Sequence, residues 1–218
     1  MKKCIVTYVD GDKFEEQLEI TKPLFERYAI LCDAELIVLR GKTDSPKREL
    51  DKFKASQVFR EHDLSLFLDV DVVISNDSPN IFEIASLDKI SALNEYDYFK
   101  DKGWFWRFNK PERVRLSQHM KKTEQKLIVN SGVFVMPKSL SHLYDPPEFP
   151  PLKFRGFEQS LFSCRIQDNS VLNRLDLKWN CIANHKDFYK LRRDAYFVHF
   201  NFKPIEKRIK MMKNWAKR

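Results

Sequence analysis

The sequence predicts one α/β domain with a Rossmann-like, mostly parallel central sheet flanked by helices. Three observations support this. The length of 218 residues fits a single domain with a sizeable core. Strand-like and helix-like patterns alternate up to residue 74. Leu64–Leu68 is too short for a soluble helix and too apolar for a loop, which is typical of a strand buried on both faces of a parallel sheet.

The first half of the chain alternates strands and helices. The patterns predict a strand over Lys3–Val9, a turn at Asp10-Gly11-Asp12, a helix from Phe14 to Ala29 with Pro23 as a break or kink, a strand over residues 34–39, a helix over residues 47–61, and the Leu64–Leu68 strand. This order is the opening of a Rossmann-like sheet.

In the second half of the chain, the patterns predict shorter elements. They are a short helix at residues 78–84, strands at 89–93 and 128–136, an aromatic segment at 96–108, a basic helix at 111–126, a helix at 156–166, apolar segments at 175–179 and 196–200, and a basic amphipathic helix at 205–218. We therefore divide the chain into a domain at 1–204 and a C-terminal helix at 205–218.

The composition indicates a globular protein with an anionic partner. The formal net charge of +8 favours nucleic acid, lipid headgroups or a phosphorylated substrate, and its sign does not choose among them. We expect a cytoplasmic protein, because no run is long enough to span a bilayer and the N-terminus turns polar too soon for a signal peptide. Without C-x-x-C spacing, buried structural thiols are expected at Cys4, Cys32, Cys164 and Cys181.

Two carboxylates follow the buried strand, at Asp69 and Asp71. Residues i and i+2 of an extended segment project to the same side, so both carboxylates can face the crevice where open α/β sheets bind ligands. A Mg²⁺ or Mn²⁺ ion would relieve their repulsion and hold substrate phosphates. Taken alone, the pair also fits a loop turn or a strand-end cap.

Four stretches in order extend this pattern. They are Leu66-Phe67-Leu68-Asp69-Val70-Asp71 with Ser78-Pro79-Asn80-Ile81-Phe82-Glu83, then Val129-Asn130-Ser131-Gly132-Val133, then Phe157-Glu158-Gln159, and last His199 to Lys203-Pro204 with Trp179-Asn180 upstream. Together they resemble the GT-A-type nucleotide-sugar glycosyltransferases, and within them family 8, the glycogenin-like and bacterial galactosyltransferase group.

The resemblance implies a role for each matched position. Asp69, Asp71 and His199 would hold Mn²⁺ or Mg²⁺ against the donor diphosphate, with Lys203 on the phosphates. The other implied donor-site positions are Thr7, Tyr8, Asp10, Lys54, Val70 and Ser131, and the reacting sugar would meet Asn130, Glu158 and Gln159. The implied reaction moves a sugar from a UDP-sugar to a glycan or glycoprotein acceptor with retention of configuration.

Two departures from the family pattern stand out. The glycine usual between the histidine and the lysine of the closing motif is missing, and Glu158 replaces an aspartate. Simpler explanations also exist at each position: a structural histidine at 199, a bulge at 130–132 and an acidic first helical turn at Glu158. Trp104 and Trp106 fit either an acceptor-stacking platform or plain core.

Two other functions also fit parts of the sequence. Asp69-Val70-Asp71 matches the signature of haloacid-dehalogenase-type phosphatases, with Asp69 as nucleophile, although that motif normally ends the first strand. A non-catalytic basic module would explain the charge but not the aspartate pair, and no nucleic-acid motif is present. The C-terminal helix, with Ile205, Ile209, Met212 and Ala216 on one stripe, fits either an anionic membrane surface or a helix docked on the domain.

Overall fold

The computed structural model describes residues 1–41, 48–99, 127–149, 156–183, 185, 187–201 and 203–216. The strands, in chain order, are β1 Lys3–Val9, β2 Glu35–Arg40, β3 Leu64–Leu68, β4 Val72–Ile74, β5 Ile90–Asn94, β6 Val129–Pro137, β7 Leu172–Arg174, β8 Cys181–Ile182 and β9 Phe197–His199. The α-helices are α1 Asp12–Cys32, α2 Ala55–Phe59, α3 Glu95–Phe99, α4 Phe157–Asn169, α5 Phe188–Leu191 and α6 Ile205–Trp215.

Among the described residues, six strands form the central sheet, in the order β2-β1-β3-β6-β5-β7. Five strands run in the same direction, and β6 alone is antiparallel to its neighbours β3 and β5. Every residue of β3 and β6 is buried, because helices cover both faces of the sheet. The predicted fold class, a mostly parallel sheet flanked by helices, is confirmed.

A second sheet of three strands, β4-β9-β8, lies beside the first. It pairs Val72 of β4 with His199 of β9, so the segment that follows Asp71 is held against the closing motif. This pairing brings together two motifs that are far apart in the sequence.

Helix α1 runs without a break through Pro23 and ends at Cys32, and the next residue, Asp33, adopts a left-handed conformation with φ of 50°. Proline inside a helix costs about 3 kcal/mol. Thr21 and Phe25, on either side of the proline, are fully buried, and this packing offsets the cost. Of the two alternatives predicted at Pro23, a break or a kink, the break does not occur.

Two other predicted elements differ from the structure. The helix predicted at 47–61 is a 3-10 helix, Arg48–Lys54, followed by the short α2. The strand predicted at 128–136, with a bulge at 130–132 as an alternative, is continuous as β6. Its pairing with β5 shifts in register between Ala92 and Asn94. The elements predicted at 96–126 lie largely outside the described residues.

Helix α6 packs onto the domain. Ile209, Met212 and Trp215 are buried, and Met212 and Trp215 belong to a core cluster that includes Val198 and Phe200. Lys13–Glu206 and Lys213–Glu16 ion pairs tie it to α1. Of the two alternatives for its apolar stripe, this geometry favours the docked helix. Among the described residues, no helix is long and apolar enough to cross a membrane.

The four cysteines are free thiols. Cys4, Cys32 and Cys181 are buried, and Cys164 is half-buried. Burial raises the pKa of the Cys4 thiol to about 12, so it stays protonated and unreactive. The prediction of buried structural thiols is confirmed for three of the four.

Candidate metal and donor site

The Asp69-Val70-Asp71 segment is a tight turn between β3 and β4. The Val72 N–H donates to the carbonyl of Asp69 at 3.0 Å, which closes the turn. The segment that carries the two carboxylates was expected to be extended. This expectation is wrong, because the chain turns after Leu68.

Three other elements hold the backbone of this turn. Asp69 N–H donates to the carbonyl of Gly132 at 2.8 Å, Phe200 N–H donates to the carbonyl of Asp71 at 3.0 Å, and the Thr21 hydroxyl donates to the carbonyl of Val70 at 3.2 Å. Since β6, the residue after β9 and α1 each supply one contact, the backbone that carries the two carboxylates is held from three sides.

The two aspartates converge on His199. Its Nε2 lies 3.2 Å from Asp71 Oδ1 and 3.8 Å from Asp69 Oδ2. One ligand atom from each of the three residues lies within 4.8 Å of the others. His199 and Asp71 are buried, while the Asp69 side chain is 22% exposed. The sequence-based grouping of these three residues is confirmed.

The residues of this group fit a divalent cation. His199 Nε2 is buried and has no hydrogen-bond partner among the described residues, although it faces two carboxylate oxygens. Gly132 leaves space beside them: a Cβ on it would lie 2.8 Å from Asp69 Oδ2 and 3.0 Å from His199 Nε2. Two carboxylates and one imidazole form a donor set that suits Mn²⁺, and Mg²⁺ with water ligands added.

Two cations that the motifs did not include neutralise the aspartates. Lys52 Nζ lies 2.5 Å from Asp69 Oδ1, and Arg208 of α6 lies 2.8 Å from Asp71 Oδ2. Burial alone would lower the pKa of Lys52, but Asp69, Glu158 and Asp71 raise it above its ordinary value. Burial acts to raise the pKa of Asp71, but His199, Arg208 and Lys52 lower it to about 2. Both aspartates are therefore held close to positive charge.

Glu158 is also buried, near Asp69. Its carboxylate accepts hydrogen bonds from the Ser131 hydroxyl at 2.8 Å and from the Tyr144 hydroxyl at 2.7 Å. Burial raises the pKa of Glu158 to about 7, and Asp69 adds to this, while Lys52, Tyr144 and Ser131 oppose it. Tyr144 belongs to an aromatic cluster, and neither its contact nor that of Lys52 could be read from the motifs.

Asn130 is buried and points into the scaffold. Its side-chain amide donates to Glu95, and its carbonyl oxygen accepts from Gly132 N–H at 3.0 Å and from Asn180 at 2.9 Å. Gln159, in the first turn of α4, hydrogen-bonds Glu95 as well. Asn130 is therefore engaged by protein groups and is linked through Asn180 to His199, whereas Gln159 shares Glu95 with it.

The predicted nucleoside side lies at the ends of β1 and β2. Lys54 Nζ donates to the carbonyl of Gly41 at 3.0 Å and lies 6.0 Å from the centre of the Tyr8 ring. The Tyr8 hydroxyl donates to the same carbonyl. Thr7 is fully buried, and its hydroxyl has no hydrogen-bond partner among the described residues. Asp10 follows directly and is half-buried.

Three other predicted positions contribute less. The Val70 side chain packs with Val9 and Leu18, so only its backbone can face a donor. In the part of the chain that the structure describes, Lys203 makes no ion pair with the triad, and its carbonyl oxygen accepts from Arg208 at 3.3 Å. Trp104 and Trp106 lie outside the described residues.

Comparison with solved structures gives glycosyltransferases, whereas no family model and no curated protein matches. A glycosyltransferase involved in glycosylation of the major capsid of PBCV-1 superposes with a TM-score of 0.67 at 16% identity, over 98% of this chain and 100% of that one. The bifunctional glycosyltransferase WbbM gives 0.67 at 13%, over 99% of this chain and 50% of that one. The galactosyltransferase LgtC, solved with donor and acceptor sugar analogues, gives 0.53 at 13%, over 96% and 95%.

These neighbours agree with the architecture described above. At identities this low, the superpositions show a common fold only. The chain has the fold of the GT-A-type glycosyltransferases.

Proposed function

We propose that this protein is a metal-dependent glycosyltransferase that moves a sugar from a nucleotide-sugar donor, a UDP-sugar, to a glycan or glycoprotein acceptor with retention of configuration. The observation that carries the proposal is the convergence of Asp69, Asp71 and His199 in a chain with a glycosyltransferase fold. Two aspartates of one turn and a histidine that is distant in the sequence bring three ligand atoms to one point. A structural cap would not require the histidine.

Two groups of residues would bind the two parts of the donor, its diphosphate and its nucleoside. Asp69, Asp71 and His199 would hold Mn²⁺ or Mg²⁺, and the ion would supply positive charge to the diphosphate as it leaves. Tyr8 and Lys54, with Thr7 and Asp10, lie at the carboxyl end of the parallel strands, where open α/β sheets bind nucleotides. Lys52 and Arg208 add positive charge next to the aspartates and take the role that the motif assigned to Lys203.

Glu158 would serve the sugar end. Its carboxyl group lies in a pocket with Ser131 and Tyr144, and Gln159 follows on the same helix. The carboxylate form would stabilise positive charge that develops on the reacting carbon of the sugar, and the two hydroxyl groups hold it in one orientation. Asn130 would support this arrangement from behind, and Trp104 and Trp106 remain the proposed acceptor contacts.

The alternative functions explain less of the site. A haloacid-dehalogenase-type nucleophile at Asp69 would stand at the end of the third strand instead of the first, and it would leave His199 without a role. A basic binding module would leave the three-residue group unexplained. Steep salt-dependent binding of DNA or RNA that survives the loss of both aspartates would favour the module.

The proposal is tested by donor turnover. Purified protein is incubated with a panel of nucleotide sugars, with and without Mn²⁺, and release of the nucleoside diphosphate is measured. We expect Mn²⁺-stimulated release from one UDP-sugar, lost on Asp69→Asn or Asp71→Asn. Asp194→Asn, at an exposed aspartate outside the site, is the matched control and should behave as wild type.

Binding gives a second readout, because a donor that binds only the native state raises its melting temperature. If no nucleotide sugar is bound or hydrolysed across the panel in the presence of Mn²⁺, the proposal fails.

We also propose that the protein works in the cytoplasm, with α6 at an anionic membrane surface. The free cysteines fit a reducing compartment. Lys207 and Lys210 of α6 are exposed, whereas its apolar side packs on the domain. Contact with a membrane would therefore rest on these charges.

A further inference from the structure

Behind His199, three buried polar side chains form a continuous chain of hydrogen bonds. Glu95 accepts from the side-chain amide of Asn130, Asn130 Oδ1 accepts from Asn180 Nδ2 at 2.9 Å, and Asn180 Oδ1 lies 3.2 Å from His199 Nδ1. The exposed fraction of Glu95, Asn130 and Asn180 is 3%, 2% and 0%, so water does not compete for these groups. The chain links the start of α3, strand β6 and the residue before β8 to the histidine of β9.

The direction of this chain is fixed by a backbone group. Gly132 N–H, which can only donate, points to Asn130 Oδ1 at 3.0 Å. Asn130 therefore presents its oxygen on that side and its NH₂ group to the carboxyl oxygen of Glu95. Turning the Asn130 amide over would set two donors against each other at Gly132.

The same logic passes to His199. Because Asn130 Oδ1 is an acceptor, Asn180 must present its NH₂ group there, and its own oxygen then faces His199 Nδ1. A carbonyl oxygen only accepts, so His199 Nδ1 must carry a hydrogen. The other nitrogen, Nε2, faces the carboxylates of Asp69 and Asp71, and it is the atom that would give its lone pair to a metal ion bound there.

We propose that Asn130 and Asn180 are positioning residues that set the tautomer of His199 and so prepare Nε2 as a metal ligand. The proposal rests on the metal site of the proposed function and deepens it. It moves Asn130 from the group of sugar contacts to the support of the metal site. Outer partners of this kind fix the ring orientation of ligating histidines and change metal affinity about 10- to 100-fold when they are removed.

The first test uses the wild-type protein without metal. Nitrogen NMR of histidine-labelled protein shows which ring nitrogens carry a hydrogen, and the His199 signals are assigned by their loss in His199→Gln. We expect a hydrogen on Nδ1 of His199. A bare Nδ1 overturns the proposal, whatever the protein does with metals.

The second test changes the acceptor of His199. Asn180→Leu removes it and should weaken Mn²⁺ binding, measured without nucleotide, by about 10- to 100-fold. Asn180→Asp keeps an oxygen opposite Nδ1 but sets an acceptor against Asn130 Oδ1, so it should lose less Mn²⁺ affinity than Asn180→Leu. Asn169→Leu, at an exposed position at the end of α4, is the control.

These outcomes separate the two proposals. If a folded Asn180→Leu binds Mn²⁺ as tightly as wild type, the positioning role is wrong. If Asn180→Leu does not fold, the tautomer of the wild-type ring decides. If wild-type protein binds no Mn²⁺, the proposed function fails at its metal site, while the tautomer measurement still tests the hydrogen-bond chain.

Discussion

Gly132→Ala places one methyl group inside the candidate metal site. Gly132 has an ordinary φ angle, so the substitution puts no strain on the backbone, and its whole effect comes from the new Cβ. That atom would lie 2.8 Å from Asp69 Oδ2 and 3.0 Å from His199 Nε2, and closer still to His199 Cε1. Carbon atoms in comfortable contact are about 3.5–4.0 Å apart, so the imidazole must move by roughly 1 Å.

Such a movement matters far more for a metal than for the fold. Metal–ligand distances tolerate changes of about 0.2 Å, so a displaced imidazole no longer bonds the ion. Overpacking in a core costs about 1–3 kcal/mol, which lowers the melting temperature of a protein of this size by a few degrees. We therefore expect Mn²⁺ affinity to fall at least about tenfold in a protein that still folds.

Manganese titration followed by electron paramagnetic resonance, with thermal unfolding of the same samples, measures both effects. Gly41→Ala is the matched control: its φ of 99° strains an alanine, but a Cβ there meets nothing within 4 Å. The control should lose stability and keep its Mn²⁺ affinity in the absence of nucleotide. Wild-type Mn²⁺ affinity in Gly132→Ala would refute this account of the site.

Three further predictions concern charged residues, two of them at the site and the third on α6. Glu158→Gln tests the raised pKa: the folded pKa of about 7 lies above the ordinary 4.5, so metal-free wild type loses about 3 kcal/mol of unfolding free energy as pH rises between these values, and the variant does not. Parallel pH profiles by chemical denaturation would contradict it. Arg208→Gln leaves the buried Asp71 without its guanidinium partner, so Mn²⁺ should raise the melting temperature of this variant more than that of wild type or of the exposed control Arg193→Gln; an equal shift would contradict it. Lys207→Gln combined with Lys210→Gln should weaken flotation with anionic vesicles, by about 1 kcal/mol per charge, if α6 meets a membrane, and unchanged flotation would remove that contact.

Local patterns in the sequence predicted the fold, and a family resemblance carried by four ordered motifs predicted the metal group. The buried strand at Leu64–Leu68 and the alternation before it predict the sheet, because burial on both faces requires an unbroken apolar run. The order of the motifs predicted that His199 meets Asp69 and Asp71, and the pairing of Val72 with His199 shows how the fold achieves it.

What escaped prediction depends on the approach of distant elements. Lys52 precedes the aspartates on a 3-10 helix, and Arg208 follows on α6, and neither belongs to a motif whose spacing marks it. The role of Gly132 is a matter of empty space, which a sequence does not display. The tight turn at Asp69 was only one of the alternatives, because the apolar residues on both sides of the aspartates read as one extended strand.

The central claim is that Asp69, Asp71 and His199 bind one divalent cation. Pulsed electron paramagnetic resonance of the Mn²⁺-loaded protein tests it most directly, since a nitrogen bonded to Mn²⁺ modulates the electron spin echo. We predict imidazole nitrogen modulation in wild-type protein that disappears in His199→Gln, with weaker Mn²⁺ binding in Asp71→Asn. Tight Mn²⁺ binding without nitrogen modulation, or modulation that survives in His199→Gln, would contradict the claim.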